Sequence, residues 1–498
     1  MGTGKPSSYA ELEDRFSRIS LVRESSAILS WDWATMMPVG AARARAAQLA
    51  ELEKTSHERL VDPQIEDLLA RAEQEPDVQS DMWLASNLAQ MRQQWMHANA
   101  LSSKFVESLA TTTSACELAW RSARESANFS EIIPQFSAVV DLVRQKALSL
   151  SESFGVSPYD CLLHQYEQNL TERDVDSLFS DLLEFLPSDL CNALDEHGRS
   201  SSFKGRFPIG AQELLNRKIM EIIGFPFKSG RLDTSHHPFS GGGPEDLRIT
   251  TRYDDQDFTS SFMAVLHETG HALYEYGLPE RWRGQPVGEA LGMVIHESQS
   301  LLIEMQVCRS KEFVELITPH IREAFEGRLL DLDEDQLRAV LCKVEPGCIR
   351  VEADEVTYPF HIMLRYRLER LLIDGELKVE DLPSAWREGM RELLDIEPVD
   401  DAAGCLQDIH WYGGDFGYFP TYTLGALAAA QLFSAAVVKN TDILPSIRVG
   451  NFKPLLQWLD VNVHSLGCSL SAFSLIERAT DAPLSTKSFE KHLRARYC

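Results

Sequence analysis

His267-Glu-Thr-Gly-His271 is the stretch on which the interpretation of this sequence depends, and it lies inside the run Ser261-Phe-Met-Ala-Val-Leu-His-Glu-Thr-Gly-His-Ala-Leu-Tyr-Glu-Tyr276. Two histidines four residues apart lie on one face of an α-helix, one turn apart. This spacing lets both imidazoles bind one divalent ion, typically zinc with Zn–N distances of about 2.0–2.1 Å. Glu268 lies about 100° round the helix from His267. The stretch therefore predicts a metal site in which Glu268 is not a ligand but reaches a metal-activated water as general base.

The residues around this stretch favour a helix. Asp257 or Thr259 can cap its start, and Gly277 followed by Pro279 is a typical stop. The pentapeptide alone leaves a chance match as the alternative, because short motifs recur in unrelated chains. Support must therefore come from other segments.

The bulk composition excludes several classes of function. The chain has 498 residues, of which 44% are hydrophobic and 25% charged, and its formal net charge is −27. An acidic surface repels phosphate backbones, so we expect no nucleic-acid partner. No apolar stretch approaches the roughly 20 residues of a membrane helix, and no signal peptide follows Met1. Nine dispersed cysteines without a Cys-x-x-Cys pair are typical of reduced thiols. We therefore expect a cytoplasmic protein with no membrane partner.

The periodicity of apolar residues predicts a mainly helical chain. Helical patterns run through most of residues 8–220 and return in 287–309 and 325–400. The segment 247–253 instead alternates and is rich in β-branched residues, which predicts a strand. Its open edge is suited to pairing with an extended peptide beside the metal, and a structural hairpin is the alternative.

A third metal ligand is expected from the segment after the central helix. Glu297 lies in an apolar run from Gly292 to Ile303, where a buried charge needs an opposite charge or a metal. Glu275 and Glu289 compete for the same role. The alternative is a solvent-exposed face that carries Glu297 together with Glu304.

Two further segments carry candidate site residues. Residues 404–422 are rich in glycine and aromatic residues and contain His410, Tyr418 and Tyr422, and loops of this kind often line sites. Arg350 and Asp354 stand four residues apart, a spacing that by itself predicts only an ion pair on a helix surface.

Together these segments resemble the carboxypeptidase Taq family of metallocarboxypeptidases along nearly the whole chain. The motifs that carry the resemblance are Trp31-Asp32 with Met37-Pro38-Val-Gly40, His237-Pro-Phe239, Asp246-Leu-Arg-Ile-Thr250, His267-Glu-x-x-His271, His296-Glu-Ser-Gln-Ser300, Ile349-Arg-Val-Glu-Ala-Asp354 and Gly404-Cys-Leu-Gln-Asp-Ile-His-Trp411. Trp33 stands where the family more often has glutamine, which leaves the site residues untouched.

The resemblance implies a mainly α-helical zincin with a deep substrate groove and a small β-sheet beside the metal-binding helix, similar in shape to neurolysin and angiotensin-converting enzyme. It implies one two-lobed catalytic unit over residues 1–498 instead of the several domains suggested by length. It also implies a homodimer. Among the competing glutamates it favours Glu297, and it makes strand 247–253 the substrate-side edge.

The implied activity is hydrolysis of single amino acids from the free C-terminus of peptides. The ligands would be His267, His271 and Glu297. The expected ion is Zn²⁺, with Co²⁺ or Mn²⁺ as substitutes.

The resemblance also makes His410, Tyr418 and His237 candidates for contacts with the substrate's scissile carbonyl. A free carboxylate is best recognised by a buried guanidinium, which binds it bidentately. Arg350 is the candidate for that role, with Tyr422 as a helper. The alternatives are an endopeptidase or dipeptidyl carboxypeptidase with the same metal site, or a catalytically silent helical scaffold.

Overall fold

The computed structural model describes residues 7–197, 203 and 205–498, and this part of the chain is mainly helical with one small sheet, as predicted. Its α-helices are α1 (Ser8–Thr35), α2 (Ala42–Leu60), α3 (Pro63–Ala72), α4 (Pro76–Ser80), α5 (Met82–Asn99), α6 (Ser103–Glu125), α7 (Ile133–Phe154), α8 (Pro158–Leu163), α9 (Glu172–His197), α10 (Ile209–Ile223), α11 (Phe258–Tyr276), α12 (Met293–Leu301), α13 (Lys311–Ala324), α14 (Glu334–Leu341), α15 (Tyr358–Asp374), α16 (Leu382–Leu394), α17 (Pro420–Lys439), α18 (Ile443–Arg448), α19 (Lys453–Asn462), α20 (Ala472–Thr480) and α21 (Lys487–Tyr497). Its strands are β1 (Gly230–Thr234), β2 (Phe239–Gly243) and β3 (Asp246–Thr251).

The sheet has the order β1-β3-β2, with β1 parallel and β2 antiparallel to β3. The strand expected over 247–253 is therefore β3, but it lies in the middle and is paired on both sides. The expectation that it offers an open edge to a peptide is wrong, because the outer strands are β1 and β2. Leu247 and Ile249 are buried. The alternation of apolar residues in β3 reflects the burial of one face against the core. It does not indicate which strands pair with β3.

Apolar side chains form three clusters within the described residues. Leu12, Phe16 and Ile19 of α1 recur at helical spacing and pack with α3 and α5. The largest cluster extends from α6 to α21. The third joins the sheet to α11 through Val265 and Ala272. The sheet therefore packs against the back of α11, and the histidines of α11 lie outside that cluster. That residues 1–498 form one two-lobed unit stays a prediction.

Among the described helices, α17 alone is long and apolar enough to cross a membrane by length and composition. The expectation that no stretch approaches this length was wrong on that count. Of its most apolar 18-residue window, 61% is buried inside the protein, and the helix packs against α12, α15, α20 and α21. Its apolar composition is thus accounted for by its place in the core.

Candidate active site

The helix that carries the histidine pair begins where the sequence indicates. The Asp257 side chain accepts a hydrogen bond of 2.8 Å from the backbone N–H of Thr259, so Asp257 is the cap of α11. The helix ends at Tyr276, and Gly277 is its C-terminal cap. The helical spacing places His267 and His271 on one face, with their ring centroids 4.9 Å apart.

His267, His271 and Glu297 each direct one ligand atom toward the others, and these three atoms lie within 4.8 Å of one another. Nε2 of His267 is 3.9 Å from Oε1 of Glu297, and Nε2 of His271 is 3.6 Å from Oε2. Both separations are too long for hydrogen bonds, which span about 2.7–3.2 Å. They are close to the roughly 3.4 Å expected between two ligands that each lie about 2.1 Å from one tetrahedral ion. The three side chains therefore fit a divalent cation.

Two glycines allow this approach. A Cβ atom at Gly270, inside the His-Glu-x-x-His stretch, would lie 2.5 Å from the carbonyl oxygen of Gln299 on α12. A Cβ atom at Gly425 of α17 would lie 2.9 Å from Cβ of Glu297. Real side chains do not tolerate such distances, so glycine is required on both sides of α12. No motif or spacing in the sequence marks either glycine as part of the site.

Glu304 contacts Nδ1 of His267, the ring nitrogen that is not the candidate metal ligand. Its Oε2 lies 2.9 Å from Nδ1 of His267, and its Oε1 accepts a hydrogen bond of 3.3 Å from Nη2 of Arg309. A carboxylate can only accept here, so Nδ1 carries the proton and Nε2 is free to bind a metal. The side chains of Glu297 and Glu304 are only 9% and 13% exposed. This excludes the alternative of a solvent face that carries both.

The two competing glutamates lie outside the three-residue cluster. Glu275 lies 3.0 Å from Nε2 of His296, and Glu289 accepts a hydrogen bond of 3.2 Å from Gln94. Neither belongs to the group of potential ligands that the described residues form.

The charges around the cluster favour a cation. Burial alone would lower the pKa of His267, but the carboxylates of Glu297 and Glu304 raise it to about 10, so a cation that binds Nε2 would displace a proton from it. Burial raises the pKa of Glu268 to about 7, although His267 opposes the shift. Burial and the neighbouring imidazoles hold the pKa of His271 well below its usual value. Three carboxylates around two imidazoles leave an excess of negative charge that a divalent cation would neutralise.

A second cluster is built around Arg350. Its Nε and Nη2 lie 3.0 and 2.9 Å from Oδ1 of Asp408, and its Nη1 donates a hydrogen bond of 2.9 Å to the hydroxyl of Tyr358. The other oxygen of Asp408 lies 2.6 Å from Nη2 of Arg365. Two guanidinium groups share one carboxylate, so the cluster keeps one uncompensated positive charge.

The alternative of a surface ion pair between Arg350 and Asp354 is excluded, because Arg350 is buried and pairs with Asp408. The Asp354 carboxylate accepts backbone hydrogen bonds of 3.0 Å from Glu345, Val356 and Thr357. Arg350 lies in a short 3₁₀ turn before α15 rather than inside an α-helix, so the four-residue spacing does not bring the two side chains together.

Three aromatic residues from the segment 404–422 contact one another beside Arg350, and Tyr422 packs on its guanidinium. Nε2 of His410 is 3.3 Å from the hydroxyl of Tyr422, and the ring of Tyr418 is 5.4 Å from that of His410. The guanidinium carbon of Arg350 lies 4.9 Å from the centroid of Tyr422. The helix α17 joins the two clusters, because Tyr422 packs on Arg350 and Gly425, three residues further along the helix, packs against Glu297.

His237 lies apart from both clusters in its described contacts. It is exposed, and its carbonyl oxygen accepts hydrogen bonds from the hydroxyls of Ser235 and Thr250. Partial desolvation of its ring lowers the pKa of His237, and Arg252 and Arg124 lower it further. Its expected contact with the substrate stays a prediction.

A family model described as Carboxypeptidase Taq (M32) metallopeptidase matches residues 11–497 of this chain. The chain belongs to this family. It is 38% identical over 482 residues to Thermostable carboxypeptidase 1 of Thermus thermophilus, covering 95% of this chain and 94% of that protein. The structure is similar to that of Metallocarboxypeptidase 1 of Trypanosoma cruzi, with a TM-score of 0.95, 36% identity and coverage of 98% and 99%. It is also similar to the carboxypeptidase of Pyrococcus furiosus, with a TM-score of 0.95, 33% identity and full coverage of both chains.

These comparisons confirm the resemblance carried by the sequence motifs. The protein is a metallocarboxypeptidase, and peptides are its substrates. As a member of a metallopeptidase family it uses a metal ion, and the cluster of His267, His271 and Glu297 is suited to hold one.

Proposed function

We propose that this metallocarboxypeptidase removes single residues from free peptide C-termini at a site formed by the two clusters. The single observation that carries the proposal is that one helix, α17, contacts both the buried Arg350, through Tyr422, and the candidate metal ligand Glu297, at Gly425. His267, His271 and Glu297 hold the ion. Zinc suits two imidazoles and one carboxylate, and Co²⁺ or Mn²⁺ are acceptable substitutes.

Glu268 is the general base in this proposal. A bound ion supplies Lewis acidity, which polarises the scissile carbonyl and makes a water easier to deprotonate. The Glu268 side chain lies next to His267 in the helix and is 7% exposed. It takes the proton of the attacking water and later delivers it to the leaving amine. Its burial raises its pKa to about 7, which suits both the uptake and the release of a proton near neutral pH.

His410 and Tyr418 are proposed to donate hydrogen bonds to the developing oxyanion. Burial lowers the pKa of His410 to about 4, so its ring is neutral near pH 7 and acts as a hydrogen-bond donor. Burial and the nearby Glu297 carboxylate raise the pKa of Tyr418, so its phenol keeps its proton. Preorganised donors of this kind commonly contribute about 10²–10³ in rate.

Arg350 is proposed to bind the terminal carboxylate of the peptide, with Tyr422 packed against the guanidinium. Asp408 orients Arg350, and the second guanidinium of Arg365 leaves enough positive charge to attract an anion. An endopeptidase has no use for a carboxylate-binding arginine, so this cluster favours an enzyme that acts at the free C-terminus over an endopeptidase. A silent scaffold would have no need of Glu268, which is not a ligand.

We also propose that the enzyme is a cytoplasmic homodimer. The dimer is supported by the family resemblance, and the cytoplasmic location is supported by nine dispersed cysteines without a Cys-x-x-Cys pair.

The proposal is tested by a time course on an unblocked peptide, followed by mass spectrometry of the products. We expect stepwise release of single C-terminal residues, loss of activity after chelation and recovery on addition of Zn²⁺. The same peptide with an amidated C-terminus is the control and should be cleaved much more slowly. Release of dipeptides or internal fragments would support the alternatives, and undiminished activity after complete metal removal would refute the metal mechanism.

A further inference from the structure

The helix that carries Glu297 does not continue as a regular α-helix. After α12 the chain forms a π-helical turn, Leu302–Val307, in which the N–H of Cys308 bonds to the carbonyl of Ile303 five residues earlier at 2.8 Å. Glu304, the partner of His267, lies in this turn. The last carbonyl groups of a helix have no partner inside the helix and need donors from elsewhere. The position of Glu304 therefore depends on what stabilises this helix end.

Arg496 of α21 supplies those donors from the other end of the described chain. Its Nη1 donates to the carbonyl of Met305, and its Nη2 donates to the carbonyl of Gln306 at 3.1 Å. A guanidinium is the suitable group, because its planar fork reaches two neighbouring acceptors and its charge is favourable at a helix C-terminus. The side chain is 10% exposed.

A buried carboxylate holds Arg496 in place. Glu355 lies 3.4 Å from Nη1 of Arg496 and 3.2 Å from Nε2 of His492, and it accepts a hydrogen bond of 2.7 Å from the hydroxyl of Tyr497. Glu355 follows Arg350 by five residues along the chain. The α21 helix thus contacts both the π-helical turn and the segment that leads from Arg350 to α15.

We propose that Arg496 is a positioning residue for the metal ligand His267. Its guanidinium fixes the carbonyls of residues 305 and 306 and thereby stabilises the π-helical turn. That turn places the Glu304 carboxylate beside Nδ1 of His267. This inference rests on the proposed metal site. It adds α21 to the elements that determine how tightly that site binds its metal ion.

The test is the dissociation constant of Zn²⁺, measured on metal-stripped full-length protein by competition with a chromogenic chelator. Arg496→Lys keeps the charge beside Glu355 but cannot donate to both carbonyls as a fork does. We expect a dissociation constant raised about threefold to tenfold, below the roughly 10–100-fold typical of changing a ligand's direct partner. Arg494→Lys is the matched control, because Arg494 lies on the same helix but pairs with Asp189 and Glu490. Its dissociation constant should equal that of the wild type.

A double-mutant comparison tests the route through Glu304. If Arg496 acts through this carboxylate, Arg496→Lys should weaken Zn²⁺ binding little further in a Glu304→Gln background. An equal loss in both backgrounds, or an unchanged constant in the single variant, would overturn the inference. Arg496→Gln, which donates to one carbonyl, provides the same comparison if the lysine variant does not fold.

His267→Ala separates this inference from the proposed function. Loss of Zn²⁺ binding in His267→Ala together with wild-type affinity in Arg496→Lys would refute only the role of Arg496. Retained stoichiometric Zn²⁺ in His267→Ala would refute the metal site itself.

Discussion

Gly270 of α11 lies so close to Gln299 of α12 that a Cβ atom at position 270 would stand 2.5 Å from the Gln299 carbonyl oxygen. The contact lies one residue from His271 and two residues from Glu297 along their respective helices. The distance between these two ligands therefore depends on the absence of a side chain at position 270.

Gly270→Ala should force the two helices apart. We expect a loss of about 1–3 kcal/mol in the free energy of unfolding, as is usual for overpacking, together with weaker Zn²⁺ binding. Urea denaturation and chelator competition measure the two effects. Gly210→Ala in α10 is the control, because a Cβ atom there meets nothing within 4 Å and alanine is favoured over glycine in helices. Equal effects of the two substitutions would contradict the role of close packing.

Glu268→Gln should separate metal binding from turnover. The variant keeps His267 and His271, so we expect a full complement of metal by elemental analysis. Loss of the proton acceptor should lower kcat by about 10²–10⁴. A kcat within tenfold of the wild type would remove Glu268 from the role of general base.

Glu297→Ala should release the metal. The control is Glu289→Ala, which removes a carboxylate of the same type that pairs with Gln94 outside the cluster and should leave the metal content unchanged. Metal content after dialysis against metal-free buffer measures both. If Glu289→Ala loses the metal and Glu297→Ala keeps it, the ligand assignment is wrong.

Arg350→Ala should impair hydrolysis of substrates with a free C-terminal acid. Truncating one partner of a buried charge pair costs about 2 kcal/mol or more, which corresponds to at least about a 30-fold loss in kcat/KM. The measurement uses N-blocked dipeptides with a free acid. Metal content serves as the control and should not change. Hydrolysis of these dipeptides at the wild-type rate would show that another group binds the carboxylate.

Glu167 should make stability depend on pH. It is 1% exposed and accepts a hydrogen bond of 3.0 Å from the N–H of Val294, in the first turn of α12. Burial raises its pKa to about 8 from the ordinary glutamate value of 4.5. A carboxyl with a raised pKa contributes stability below its unfolded pKa and loses it as the pH rises through the folded value.

The test compares the wild type with Glu167→Gln, in which a neutral amide imitates the protonated acid. Between about pH 4.5 and pH 8 the free energy of unfolding of the wild type should fall relative to that of the variant, by at most about 1.4 kcal/mol per pH unit. Denaturation curves at several pH values measure this difference. Glu51→Gln, at an exposed position of α2, should follow the wild type. A constant difference between wild type and Glu167→Gln would contradict the raised pKa.

Contacts between distant segments are the part of the site that sequence reasoning could not supply. Asp408 follows Arg350 by 58 residues, and no spacing rule connects them. The spacing of four residues pointed only to an ion pair with Asp354, but the oxygens of Asp354 accept hydrogen bonds from backbone N–H groups. In the same way, the alternating residues of β3 indicated a strand but not that both of its sides are paired.

By itself the sequence determined the helix of His267 and His271, the mainly helical class and the family, and it limited the cap of that helix to Asp257 or Thr259. These properties follow from local periodicity and from motifs along the chain, so each can be read without knowing how the segments pack. Only the tertiary structure decided that Glu304 holds His267, that Asp408 joins Arg350 to Arg365, and that glycines bring α12 against α11 and α17. Such contacts depend on the packing of helices far apart in sequence, which short-range patterns do not encode.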